Sequence, residues 1–185
     1  MTIRSFEFLP SIIPILPLRG AVLLPNSQLP LPVSESDMDL IISPAIKKYG
    51  LLGIVQPKNS DQGLFNVGSI GRISDIKEIE NDKYLCLLTG LSRFSIIEEL
   101  DIEKDYRCAL VSYDDFKIDQ SFESVEEIFF DRERLNAALK KYFKSLNVNV
   151  NWAEISKTSD QKLLNTLAMI CPLEAIERQA ILELP

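Results

Sequence analysis

Four groups of residues in this sequence have types and spacings that could do chemistry, and each lacks something that the chemistry needs. Gly63-Leu-Phe-Asn-Val-Gly68 has the glycine spacing of a phosphate loop, but the next two residues are Ser69 and Ile70. A phosphate loop needs a lysine for the phosphates and a hydroxyl for magnesium there, so the glycines read as strand or turn positions. Ser43 and Lys47 are four apart on an expected helix, the reach of a serine-lysine dyad. A working dyad needs a desolvated lysine, whereas Lys47 adjoins Lys48 on a polar face and reads as a solvated cation. The carboxylates cluster at Asp114-Asp115, Glu98-Glu99-Leu100-Asp101 and Glu126-Glu127. Each cluster is local in sequence, the pattern of a solvated face or helix start and not of a metal or acid/base site. Cys86, Cys108 and Cys171 have no close spacing and read as small buried apolar residues of a reducing compartment. There is no histidine, which removes the commonest general base and neutral metal ligand. No catalytic residue, metal or cofactor is expected, and the single tryptophan, Trp152, reads as a packing anchor.

A chain of 185 residues, 46% hydrophobic and 25% charged, has the make-up of a soluble globular protein with one domain, or one and a small second. Its net charge of -7 repels phosphate backbones, so nucleic acid is disfavoured as a partner. The first 18 residues are apolar enough to suggest a signal peptide. They carry Glu7, Pro10, Pro14 and Pro17, however, and lack a small-residue cleavage site. No run approaches the roughly 18 apolar residues of a membrane span. The expected location is the cytoplasm, away from membranes.

Residues up to about 117 read as mostly β. Pro14-Ile-Leu-Pro-Leu18 and Leu29-Pro-Leu-Pro-Val33 are extended, and because proline cannot donate to a ladder they are expected as edge strands or strand starts. Between them, Leu23-Leu-Pro-Asn26 ends in a turn. Ser34-Glu-Ser-Asp37 fits a helix start, with Met38, Ile41, Ile42, Ala45, Ile46 and Tyr49 inward and Gly50 as terminator. Pro44 predicts a kink there, or a restart with Ser43 as cap. Residues 51–55 read as a buried strand. Across residues 65–79, Ile70, Ile73, Ile76 and Ile79 recur every third position, and Gly68 and Gly71 favour a bent strand with a bulge. A hairpin turn at Glu80-Asn-Asp-Lys83 returns through residues 84–89, and two further strands follow at 93–98 and 106–113. The sum is a barrel-like sheet of six or seven strands with one early helix.

From Glu123 the period becomes helical. Val125, Ile128, Phe129, Arg132, Leu135, Leu139, Tyr142, Phe143 and Leu146 share one face, and Lys140, Lys141 and Lys144 complement the helix end. Ser159 predicts a helix through Ile170 with Leu163, Leu164, Leu167 and Ala168 inward. Pro172 opens another through Leu184 with Leu173, Ile176 and Ile181 inward. The fold class expected is α+β, a β-barrel over residues 1–117 followed by a helical bundle over 118–185.

Four segments in order resemble one family. Pro14-Ile-Leu-Pro-Leu-Arg-Gly-Ala-Val-Leu-Leu-Pro-Asn26 resembles the opening of the Lon protease amino-terminal domain, with Asn26 where the family usually has glycine. Val67-Gly-Ser-Ile-Gly-Arg-Ile73 and Leu88-Thr-Gly-Leu-Ser-Arg-Phe94 are similar to two of its strand motifs. Leu163-Leu-Asn-Thr-Leu-Ala-Met-Ile-Cys-Pro-Leu173, with Glu177-Arg-Gln-Ala-Ile-Leu-Glu183, is similar to its helical segment. The resemblance implies a PUA-like barrel with a helical bundle, and recognition of unfolded or tagged protein segments. The family's ATPase and serine-lysine peptidase have no counterpart in these residues. Either a free-standing Lon-domain protein or a chain cut at Pro185 is expected.

The peptide-binding surface is expected at Leu16, Leu18, Leu23, Leu24 and Pro25, with Arg19 and Arg93 flanking, on the view that proline-rich edge strands leave apolar groups to be covered. A protease or a second copy of the chain is a further expected partner. The alternatives are RNA binding through a PUA-like barrel, weakened by the acidic balance, and small-molecule recognition in a barrel pocket. The latter would need an aromatic cage, and Trp152 lies outside the barrel half.

Overall fold

The computed structural model describes residues 9–58, 63–79, 83–101, 106–120, 131–145, 147 and 149–184. The expected hairpin turn at residues 80–82 and the expected helical positions before Asp131, with Leu146, lie outside these residues. The chain forms two compact units, one from Met1–Ser121 with Pro172–Pro185 and the other from Phe122–Cys171. The sequence expectation divided the chain at 117/118 and kept the last helix with the other helices, whereas compactness groups that helix with the strands.

In the first unit, β1 (Ile12–Pro17), β2 (Gln28–Ser34), β3 (Leu51–Val55), β4 (Val67–Ile79), β5 (Lys83–Leu100) and β6 (Cys108–Ser112) form one sheet, ordered β2-β5-β4-β3-β1-β6. A further pairing of β5 with β6 closes the last five strands of that order into a ring. Among the described residues β2 is the end strand of this order, as its prolines predict.

β1 is not at an edge. It changes partner half-way: residues 12–14 pair antiparallel with β6, and residues 15–17 pair parallel with β3. The Ile15 N–H donates to the Arg107 carbonyl at 2.9 Å and the Val111 N–H to the Ser11 carbonyl at 2.8 Å, so odd-numbered residues face β6. The Leu18 N–H donates to the Val55 carbonyl at 2.8 Å, so even-numbered residues face β3. The nitrogen of Pro14 thus faces β3 before that pairing begins, and the nitrogen of Pro17 faces β6 after that pairing has ended. Neither missing donor costs a ladder bond.

The helix after β2 begins as expected. Ser34 Oγ accepts from the Asp37 N–H at 3.1 Å and donates to its carboxylate at 2.7 Å. Pro44 does not make Ser43 a cap. Instead a π turn (Met38–Ile42) joins α1 (Glu35–Asp37) to α2 (Ser43–Lys48), with Pro44 in the first turn of α2. The extra residue of a π turn absorbs the missing proline donor and rotates the helical face beyond it. Ile41, Ile42 and Ala45 are buried, but Ile46 and Tyr49 come out 42% and 54% exposed, where a plain helical period had them inward. Gly50, at φ 65°, ends the helix as expected, its N–H on the Ala45 carbonyl at 2.9 Å.

β3 is buried along its whole length. β4 is the bent strand expected, with register shifts at Ile70/Gly71 and Ile73/Asp75. The two strands expected at 84–89 and 93–98 are one, since β5 runs 18 residues without a break. Its first part pairs with β2 and its last part with β6, and the shift beside Gly90 lets it turn from one to the other. The barrel core is Ile13, Ile15, Leu51, Val55, Leu64, Ile70, Phe94, Ala109 and Val111. Tyr113 lies edge-on to Phe94, with ring centroids 6.4 Å apart, and donates its hydroxyl to the Pro10 carbonyl at 2.9 Å.

The last helix, α6 (Ala175–Leu182), is tied to the strands by polar groups. It starts at a Glu174 capping box, later than Pro172, and its buried residues are Gln179 and Leu182, while Ile176 is 63% exposed. Gln56 after β3 accepts from the Gly20 N–H at 3.0 Å and donates to the Ala175 carbonyl at 3.0 Å and Gln179 Oε1 at 3.1 Å. Gln179 in turn donates to the Val67 carbonyl at 3.0 Å. Glutamine amides satisfy each other here where an aliphatic face would have left carbonyls orphaned.

In the second unit, α3 (Arg132–Ser145), α4 (Trp152–Lys157) and α5 (Asp160–Ile170) bury Leu139 and Leu163. Phe143 stands edge-on to Trp152 at 6.4 Å, and Lys140 lies over that indole at 5.5 Å. Arg132 pairs with Asp160 and donates to the carbonyls of Ile155 at 2.8 Å and Thr158 at 2.7 Å.

Candidate functional site

The residues expected to form a binding surface separate into two groups. Leu16, Leu18 and Pro25 are half-buried and Arg19 is exposed. Leu23 and Leu24 are 0% and 7% exposed, and Arg93 is 8% exposed. These three are corrected from surface to interior, and the reason is what faces them. A Cβ on Gly71 would fall 2.5 Å from Leu23 Cδ2, and one on Gly90 would fall 2.2 Å from the Leu24 carbonyl oxygen. Two strand positions are kept bare so that the turn of residues 23–26 can sit against the sheet. The Asn26 N–H then donates to the Gly90 carbonyl at 3.0 Å, and the Gly90 N–H to the Ser27 carbonyl at 2.9 Å.

Arg93 is consumed by structure. Its guanidinium forks onto Asp119, Nε to Oδ2 and Nη2 to Oδ1 each at 2.9 Å, and the Arg93 N–H meets the same carboxylate at 2.8 Å. Nη1 donates to the Leu182 carbonyl at 3.3 Å and to the Leu184 carbonyl. The guanidinium carbon lies 4.5 Å from the Phe116 ring centroid. A buried arginine so surrounded holds the end of α6 to β5.

A different surface is left open. Beyond the ring, β2, the first part of β5 and the last part of β4 make a three-stranded arm, and its registers fix which side chains share a face. One face carries Leu31, Val33, Cys86 and Leu88, all buried. The other pairs Pro30 with Leu87 and Pro32 with Leu85, and continues to Asp75 and Lys77 on β4. Pro30 and Pro32 are exposed and Leu85 and Leu87 half-buried, so four apolar side chains form an open row across two strands. Ile79, 42% exposed, and Lys83 close one end as a cross-strand pair, and Arg72 and Thr89 pair at the other. At the bulge, Ser74 and Asp75 both reach this face: Ser74 Oγ donates to the Leu87 carbonyl at 2.9 Å and accepts from Thr89 Oγ1 at 3.2 Å. Lys77 pairs with Asp75 at 3.4 Å.

Sequence reasoning missed this face, though its signal was present. Tyr84-Leu-Cys-Leu-Leu88 is apolar at every position, which a strand with one wet face does not need. Among the described residues no group of three or more Cys, Asp or Glu could hold a metal, and no helix is long and apolar enough to cross a membrane. Gly68 sits within β4 and Lys47 is exposed on α2.

The model of the ATP-dependent protease La (LON) substrate-binding domain matches residues 12–185. The chain belongs to this family. It is 26% identical over 183 residues to Lon protease 2 of Myxococcus xanthus and 24% identical over 183 residues to the Lon protease of Anaeromyxobacter dehalogenans. Each match takes in 96% of this chain and 22% of the relative, so this LON domain spans about a fifth of the length of these proteins. The fold is that of solved Lon domains. The N-terminal domain of the Mycobacterium avium complex Lon protease superposes with a TM-score of 0.63 at 16% identity, covering 94% of this chain and 90% of that one. A Lon N-terminal domain protein from Xanthomonas campestris gives 0.60 at 19% identity, covering 95% and 91%. The β-rich first part and helical last part expected from the sequence are those of this fold.

Proposed function

We propose that this LON domain is a non-catalytic recognition module that binds unfolded or tagged protein segments in the service of ATP-dependent proteolysis. The observation that carries the reading is the open face of the arm, with exposed Pro30 and Pro32 and half-buried Leu85 and Leu87 in one row. An exposed apolar row rimmed by polar groups is the usual surface for another polypeptide. The rim adds a preference. Among the described residues, Lys77 and Lys83 share this face with one carboxylate, Asp75, in a chain whose net charge is -7, so apolar segments with acidic flanks suit it better than basic ones. Membership of a family described as a substrate-binding domain supports the same reading.

Leu16, Leu18, Arg19 and Pro25 remain candidate contacts outside this face. The barrel reads as PUA-like, the helices of the second unit as a small bundle, the setting as cytoplasmic, and a protease or a second copy as a further partner.

Fluorescence anisotropy with a labelled polypeptide kept unfolded by blocked cysteines, run beside a labelled RNA hairpin at low and raised salt, tests the reading. Saturable polypeptide binding at both salts is expected. RNA binding that weakens steeply with salt, with no polypeptide binding, would reverse it. Nucleotide hydrolysis or peptide cleavage by the purified chain would end the non-catalytic part.

A further inference from the structure

We infer that the open face takes its clients through side chains alone, because both edges of the arm are built to refuse an added strand. The inference rests on the binding face proposed above and fixes the class of segment it accepts: one with suitably spaced apolar side chains, whether or not its backbone is extended.

The β2 edge decides the argument. Gly90 on β5 exchanges both of its backbone groups with the turn leading into β2, its carbonyl accepting from the Asn26 N–H and its N–H donating to the Ser27 carbonyl. Ser27 is therefore oriented toward β5. The Ser74 hydroxyl reaches the Leu87 carbonyl from the β4 side, which sets odd-numbered residues of this part of β5 toward β4 and even-numbered ones toward β2. The pairs Leu29–Leu88, Leu31–Cys86 and Val33–Tyr84 then carry the ladder bonds. Gln28, Pro30, Pro32 and Ser34 turn their backbone groups to the open side. Two of those four have no N–H.

An added strand needs donors and acceptors in alternation from the edge it joins. Along the middle of β2 it would meet carbonyls only, and its own carbonyls facing Pro30 and Pro32 would be buried without a donor, at a cost of about 1–3 kcal/mol each. The other edge, the last part of β4, is broken by the bulge at Ser74 and carries Asp75, Lys77 and Glu78, all exposed. Bulges and edge charges block strand pairing in the same way as proline. The prolines thus act twice: their rings form half of the apolar row, and their nitrogens close the edge beside it. A domain that meets unfolded chains gains from this, since a partner held by side chains is not templated into a growing sheet.

The test uses the intact chain and a synthetic peptide of alternating leucine and phenylalanine between aspartate-rich ends. Two further copies are N-methylated at alternate residues, one in each register, so that each lacks one of the two sets of donors a strand would use. Titration by anisotropy is expected to give three affinities within about threefold of one another. A loss of about tenfold or more in either methylated copy, with the parent still binding, overturns the inference and leaves the binding face standing. Failure of all three to bind removes the function proposed above and this inference with it. A second measurement needs no client: Pro30→Val/Pro32→Val keeps apolar side chains and restores both donors. Sedimentation velocity is expected to show stronger concentration-dependent self-association in that variant than in the parent chain, and a folded variant that associates no more than the parent counts against the closed edge.

Discussion

The turn of residues 23–26 and the open face of the arm are both built around leucine and proline, yet the turn's leucines are interior and the open face is surface. What separates them lies across from them. Opposite the turn, Gly71 and Gly90 leave the sheet bare, and Leu23 and Leu24 sink to 0% and 7% exposure. Opposite Leu85 and Leu87 stand Lys77 and Asp75 on one side and the rings of Pro30 and Pro32 on the other, and the two leucines stay only half-buried. Apolar character alone does not say whether a segment is core or site. The partner positions decide, and these are far away in sequence.

The comparison can be broken hardest from the turn side. Leu24→Asp would bury a carboxylate with no partner, and Asp119→Ala would strand the buried Arg93 guanidinium. Each is expected to cost about 3–5 kcal/mol, read as a steep fall in the midpoint of thermal or urea unfolding. Gly90→Ala should cost about 1–3 kcal/mol, because its Cβ would meet the Leu24 carbonyl and backbone must shift to clear it. A cost near zero for Gly90→Ala would mean that the turn is not seated as described.

Tyr113 gives a smaller effect with a defined pH dependence. Burial raises its pKa above the ordinary tyrosine value. The folded state therefore prefers the neutral phenol, and the unfolded chain ionises first. Stability from this group is complete below the unfolded pKa of about 10 and falls as pH rises beyond it. Tyr113→Phe is expected to lose about 1 kcal/mol at neutral pH, with the hydrogen bond to Pro10, and to show a shallower decline in alkali than the parent chain.

Much of the architecture was legible because local rules and tertiary structure agreed. The Ser34 helix start, the fully buried β3, the bulged β4 and the proline-bearing edge strand β2 all follow from caps, periods and missing donors. β1 was misplaced because its prolines announce two absent N–H groups but not that each falls on the side where pairing is lacking. Ile46 and Tyr49 were misassigned because a π turn before Pro44 shifts the helical phase, which a fixed period cannot register. The division of β5 failed at Gly90, where a register shift redirects the strand without ending it. For the candidate site, the expectation that proline-rich edges leave apolar groups uncovered pointed to the Leu23–Leu24 turn, flanked by Arg93, and these are arranged for packing. The open row of Pro30, Pro32, Leu85 and Leu87 joins residues more than fifty positions apart, and only the β2–β5 register brings them together.

The smallest expected effect on stability belongs to the open face, where the effect on binding should be large. Leu85→Thr/Leu87→Thr keeps strand propensity and removes the apolar centre of the row. The direct measurement is the affinity of this variant for the labelled unfolded polypeptide, taken with its unfolding midpoint. A loss of about tenfold or more in affinity, with about 1 kcal/mol or less lost in stability, is the result expected of a binding face. Unchanged affinity in a folded variant would contradict the assignment of this face as the client site.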